Sequence, residues 1–90
     1  MSDAAPQPLT LGLDLGTSAV KIVALGFNDA VIGEAAASFS TTATLAGQAE
    51  QHPGDWLQAA SRAMRALDQI LQSALGADWT RQIASIGLTG

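Results

Sequence analysis

The chain has no cysteine and a single histidine, His52, among its 90 residues. No disulfide frame and no thiolate metal centre can form, and one histidine without cysteine partners is a poor basis for a zinc site. Basic residues are scarce as well. Lys21, Arg62, Arg65 and Arg81 stand against eight acids, for a net charge of −4 and a pI near 4.4. That balance excludes a general nucleic-acid binder and a binder of anionic membrane surfaces. Nor is there an apolar run of the roughly 18 residues that a membrane-crossing helix needs. The opening MSDAAPQP has no basic region leading into an apolar core, so it does not read as a secretory signal. Residues 1–8 read instead as a flexible tail, and a cytoplasmic protein is the expectation.

What remains is apolar. Hydrophobic residues make up 48% of the chain and charged residues 13%, so the sequence favours a packed core over disorder. Ninety residues supply at most one small domain. Leu9, Leu11, Leu13 and Leu15 alternate with Thr10, Gly12 and Asp14, the period of a strand with one apolar face. Gly16 and Thr17 punctuate the chain, and Val20, Ile22, Val23 and Leu25 form a second β-rich run. Gly26, Asn28 and Asp29 carry turn chemistry, and Val31 to Phe39 reads as a third strand. Short loops between these strands favour an antiparallel meander.

Ser40 to Gln51 reads as a polar loop. A long helix follows. Pro53 suits its first position and Asp55 its positive end. Trp56, Ala60, Ala63, Leu67, Ile70 and Ala74 recur at three- and four-residue steps, with Leu71 and Leu75 beside them. That stripe is expected to face the core, with Arg62, Arg65, Gln69 and Gln72 toward water. Trp56 reads as a core residue, and Trp79 as a residue beyond the helix that covers the core. Gly76 is a natural stop. Ile83, Ile86 and Leu88 suggest a last strand, and a helix followed by a strand is a crossover, so this strand is expected to lie parallel to the first.

One segment carries chemistry, LGLDLGTSAVK at residues 11–21. It places an acid at the end of an apolar strand, then a turn of small residues, then a second strand. Gly16 lets a phosphate approach the backbone closely. Thr17 and Ser18 offer hydroxyl and N–H donors to phosphate oxygens, and alternation puts Lys21 on the face of Ala19 and Thr17. Asp14 is suited to hydrated Mg²⁺, which keeps most of its waters and takes one or two protein carboxylates. The segment is neither a Walker loop nor a dinucleotide fingerprint, because the glycine spacing is wrong and no helix follows. A plain hairpin with Asp14 capping its turn is the competing reading.

The segment resembles the first phosphate motif of the actin, Hsp70 and sugar kinase superfamily, and Lys21 four residues after Thr17 resembles the FGGY carbohydrate kinases within it. AEQHPGDWLQAASRAMRAL, residues 49–67, is similar to the same region of the xylulose kinase branch at Glu50, Gln51, Pro53, Trp56, Gln58 and Ala59. IASIGLTG at residues 83–90 is similar to the strand that leads into that branch's sugar-binding turn. His52 departs from the usual aspartate there, and the loop before Glu50 lacks the His-Pro and Gly-Trp elements. The resemblance covers nearly everything after Pro8.

It implies the amino-terminal part, residues 9–90, of a kinase N-terminal domain with a partial ribonuclease-H-like, actin-like ATPase fold of α/β class. It implies ATP and Mg²⁺ as cofactors, with Asp14 as the active-site acid near the metal. Gly16, Thr17, Ser18 and Lys21 would contact ATP phosphates, and Thr89 and Gly90 would border the sugar site. The family's catalytic base, its adenosine site and most of its sugar site lie beyond these residues, so the fragment itself is expected to be inactive. The substrate implied is D-xylulose, converted to D-xylulose 5-phosphate. Other sugars or polyols (L-ribulose, glycerol, gluconate), a non-catalytic nucleotide-binding relative and a stand-alone interaction domain are the alternatives. A piece this short leaves apolar surface and strand edges uncovered, so self-association as a homodimer is expected.

Overall fold

The computed structural model describes residues 8–39, 42–43, 49–50 and 53–89. The order is β1 (Leu9–Leu15), β2 (Ala19–Leu25), β3 (Val31–Ser38), β4 (Thr42–Ala43), β5 (Ala49–Glu50), α1 (Pro53–Leu75) and β6 (Ile83–Thr89). Four strands form one mixed sheet in the order β3-β2-β1-β6. β1–β2 and β2–β3 are antiparallel, and β6 lies parallel to β1. The meander, the crossover helix and the parallel return strand all stand as the sequence pattern implies. Within the stretch read as a loop, β4 and β5 pair in a two-residue antiparallel ladder, too short to show as alternation. The tail up to Gln7, His52 and Gly90 lie outside the described residues.

Local chemistry sets the turns. Between β2 and β3, Asn28 (φ 59°) and Asp29 (φ 58°) take left-handed backbone, which their short polar side chains tolerate better than most. The Gly26 N–H donates to the Ala30 carbonyl at 2.7 Å and closes this turn. Gly76 ends α1 at φ 98°, and its N–H donates to the Gln72 carbonyl at 2.9 Å.

The helix seats on β2 and β3 with a face slightly rotated from the expected one. Ala59, Ala63, Leu67 and Leu71 are the buried line, with Trp56, Ala60, Met64 and Leu75 packed beside it. Ile70 is 41% exposed and Ala74 is exposed. Gly33 offers no side chain on β3, so α1 settles close over it. A Cβ built there would come within 2.9 Å of Ile70 Cγ2 and 3.1 Å of Leu71 Cδ2. Gly33→Ala is therefore expected to cost about 1–3 kcal/mol through overpacking, measured as a lower urea midpoint at unchanged slope.

β1 and β2 supply the other side of the core through Leu9, Leu11, Val20, Ile22 and Ala24. Ile86 and Leu88 of β6 sit in register with Leu11 and Leu13, on the same face of the sheet as the helix. Each is nevertheless 70% exposed, because α1 lies over the other half of the sheet.

Trp79 clamps the far end. It is 1% exposed in a short 3-10 turn, Trp79–Gln82, between α1 and β6. Its indole N–H donates to Asp68 Oδ1 at 2.8 Å, and Gln72 Nε2 donates to Asp68 Oδ2 at 2.9 Å. The Trp79 bond, then the Gln72 bond, hold the Asp68 carboxyl below its ordinary value of 3.8. A carboxylate with a depressed folded-state pKa adds stability that is fully present above its unfolded value and is lost as pH falls through the folded one. Thermal midpoints are thus expected to fall as the pH drops below about 4, and Trp79→Phe is expected to flatten that fall.

Candidate active site

The site grows from the β1–β2 hairpin. β1 directs Leu9 and Leu11 into the core, so Thr10, Gly12 and Asp14 share the opposite, helix-free face. Asp14, at the end of that face, is exposed. The chain then reverses through Gly16, Thr17 and Ser18, all three exposed. The Gly16 N–H donates to the Ala19 carbonyl at 2.9 Å, and a Cβ on Gly16 would stand 3.3 Å from that same oxygen. A side chain here would press on the backbone that closes the turn, so glycine keeps the turn tight as well as open to a ligand. The Ser18 carbonyl accepts the Phe39 N–H at 2.9 Å, which anchors the second leg of the turn to the end of β3.

Lys21 stands directly opposite Asp14 in the antiparallel register. Residues paired in this way share a face, so the carboxylate and the ammonium group expected at the site are neighbours across the strands. Lys21 Nζ lies 3.4 Å from Glu34 Oε2 of β3, with both side chains about half exposed. On the other flank of Asp14 runs β6, where Thr89 is its register partner. The Thr89 hydroxyl donates to Asp14 Oδ1 at 3.4 Å. Across the sheet, one row on the helix-free face therefore reads Lys21, Asp14, Thr89, and the turn of Gly16, Thr17 and Ser18 lies just beyond Asp14 in the chain.

All five residues predicted for phosphate and metal binding fall in this hairpin. Glu34 escaped the sequence reading, because its place beside Lys21 depends on the β2–β3 register, which shifts between Ala24 and Leu25. Among the described residues no group of three or more His, Cys, Asp or Glu side chains is placed to hold a metal. Asp14 itself offers one exposed carboxylate, a donor suited to a Mg²⁺ that keeps most of its waters.

The family model for the N-terminal domain of the FGGY family of carbohydrate kinases matches residues 9–90. The chain belongs to that family. It is 38% identical over 60 residues to a xylulose kinase of Bacillus subtilis (strain 168), a match that covers 67% of this chain and 12% of that relative. Its fold matches the crystal structure of a xyloylose kinase from Brucella ovis with a TM-score of 0.73 and 32% identity, over 89% of this chain and 16% of that one. The chain thus spans well under a fifth of either relative. The α/β architecture and the kinship to sugar kinases agree with the expectation drawn from Asp14-Leu15-Gly16-Thr17, Lys21 and the 49–67 segment. Among the described residues no helix is long and apolar enough to cross a membrane.

Proposed function

We propose that this chain is the amino-terminal piece of an ATP-dependent sugar kinase that converts D-xylulose to D-xylulose 5-phosphate. The observation that carries the reading is the hairpin itself, in which Asp14, Lys21 and the open Gly16–Ser18 turn come together at the end of the two central strands of a sheet of the kinase-family fold. The two xylulose kinase relatives favour the sugar.

Each residue has a role that its position suits. Asp14 would hold hydrated Mg²⁺ through its carboxylate. Gly16, Thr17 and Ser18 present N–H and hydroxyl donors to phosphate oxygens, and Lys21 adds a positive charge. Its ion pair with Glu34 is between exposed groups and contributes only about 0–1 kcal/mol, so Lys21 can exchange Glu34 for a phosphate at little cost. Mg-ATP, when bound, supplies the phosphoryl group that is transferred. Positioning and charge stabilisation dominate catalysis of such transfers, and this hairpin offers both. The base that takes the proton from the sugar hydroxyl belongs to the part of the enzyme beyond these residues, so residues 1–90 alone do not turn over sugar.

The deciding experiment is ADP release by the full-length protein with Mg-ATP and a panel of D-xylulose, L-ribulose, glycerol and gluconate. Preference for D-xylulose is expected. Preference for another member would keep the phosphate hairpin and replace the sugar. No turnover with any would overturn the kinase reading in favour of a nucleotide-binding relative.

A further inference from the structure

Asp14 leans on a strand that the hairpin motif does not include. Along the β1–β6 seam, the helix-free face carries three register pairs: Thr10 with Ser85, Gly12 with Gly87, and Asp14 with Thr89. Thr10 and Ser85 join through their hydroxyls at 3.0 Å, which ties the first end of the seam. The middle pair has no side chains, and a Cβ on Gly12 or on Gly87 would meet nothing within 4 Å. At the other end the Thr89 hydroxyl reaches Asp14 Oδ1 at 3.4 Å. On this seam Thr89 is therefore the side chain beside the Asp14 carboxylate, with the bare glycine pair as its inner neighbour.

We infer that Thr89 is a positioning residue for Asp14. An exposed aspartate at a strand end samples several rotamers. A hydroxyl donor fixed on the adjacent parallel strand selects one of them and leaves the second carboxylate oxygen, Oδ2, for the ligand. The β-branched stem of threonine holds its own χ1, so the donor is itself oriented. Thr89 stands at the end of the crossover, about 75 residues after Asp14. Closing the β1–β6 pair thus assembles the acid and its orienting hydroxyl in one step. The inference rests on the role given to Asp14 above, and adds a residue to it.

Two variants and two readouts test it. Thr89→Val keeps shape and strand preference and removes the donor; Thr89→Ser keeps the donor. In the full-length kinase, Thr89→Val is expected to lower kcat about five- to tenfold with KM for the sugar within about twofold, the effect of one lost orienting hydrogen bond. Thr89→Ser is expected to stay within about twofold of wild type in kcat. In the isotopically labelled 90-residue chain, three-bond couplings to the Asp14 carboxyl carbon report its χ1. One rotamer is expected to dominate in the wild type and in Thr89→Ser, with averaging in Thr89→Val. A Thr89→Val chain with an undisturbed Asp14 rotamer overturns the inference, as does a serine variant that behaves like the valine one. A wild-type protein without any sugar turnover would overturn the kinase reading instead, and the couplings alone would then decide the Thr89 contact.

Discussion

Asp14→Asn is expected to lower sugar-dependent ADP release by the full-length kinase about a hundredfold or more, the scale set when a preorganised charge contact is removed from a reacting group. The substitution is nearly isosteric. It keeps an oxygen to accept the Thr89 hydroxyl and takes away only the charge that would hold a hydrated cation. Asp14 is exposed, and exposed polar changes move stability by about 0.5 kcal/mol or less, so the loss is expected in kcat without unfolding. Steady-state kinetics beside a urea titration separate the two. A variant that keeps near-wild-type kcat would show that the carboxylate does not serve the reacting phosphate, and the plain-hairpin reading of Asp14 would return.

Leu67→Ala is expected to have the largest effect on the fold. Leu67 is fully buried at 0% exposure, on the helix line that packs onto β2 and β3. Its Cδ1 lies 3.5 Å from where a Gly33 Cβ would stand, so it fills the space over the one residue of that strand face without a side chain. Truncating such a leucine costs about 2–5 kcal/mol, from lost burial and the cavity left behind. Marginal domains have only about 5–15 kcal/mol in all, and a chain of this size sits toward the low end. The urea midpoint is expected to drop accordingly, and a large fraction of the chain to be unfolded at physiological temperature. Leu57→Ala on the same helix serves as the control. Leu57 is 55% exposed, and its truncation is expected to move stability by about 0.5 kcal/mol or less. Equal losses in the two variants would mean that α1 does not pack on the sheet as described.

Local pattern alone specified much of this architecture. The alternation of Leu9, Leu11, Leu13 and Leu15 named the buried face of β1, and Asp14 fell on the other face as a consequence. Gly26, Asn28 and Asp29 marked a turn whose positive φ angles those residue types tolerate. Pro53 and Gly76 bounded the helix within its observed limits. Such features are legible because they depend on residues within a few positions of one another, where backbone sterics and side-chain period act directly. The β1–β2 hairpin belongs with them: its acid, its small-residue turn and its lysine lie within eleven consecutive residues, and antiparallel pairing with a tight turn leaves Asp14 and Lys21 opposite one another.

The helix face was legible only in outline. Periodicity admits Ile70 and Ala74 as readily as Ala59 and Leu71. The seating of α1 decided between them: Ala59, Ala63, Leu67 and Leu71 form the buried line, while Ile70 reaches over the bare backbone of Gly33 and stays 41% exposed. The exposure of Ile86 and Leu88 was hidden for a related reason. They carry the pattern of a buried strand, and whether a strand is covered depends on where the helix lies rather than on the strand.

By itself, then, the sequence determined the elements, their order and the hairpin that places Asp14, Gly16, Thr17, Ser18 and Lys21 together, since each follows from near neighbours in the chain. Only the tertiary structure decided what surrounds that hairpin. Glu34 reaches Lys21 through a register shift in β3, and Thr89 reaches Asp14 across a sequence separation of 75 residues. No local preference encodes either contact, because strand register is set by the packing of whole faces against the core.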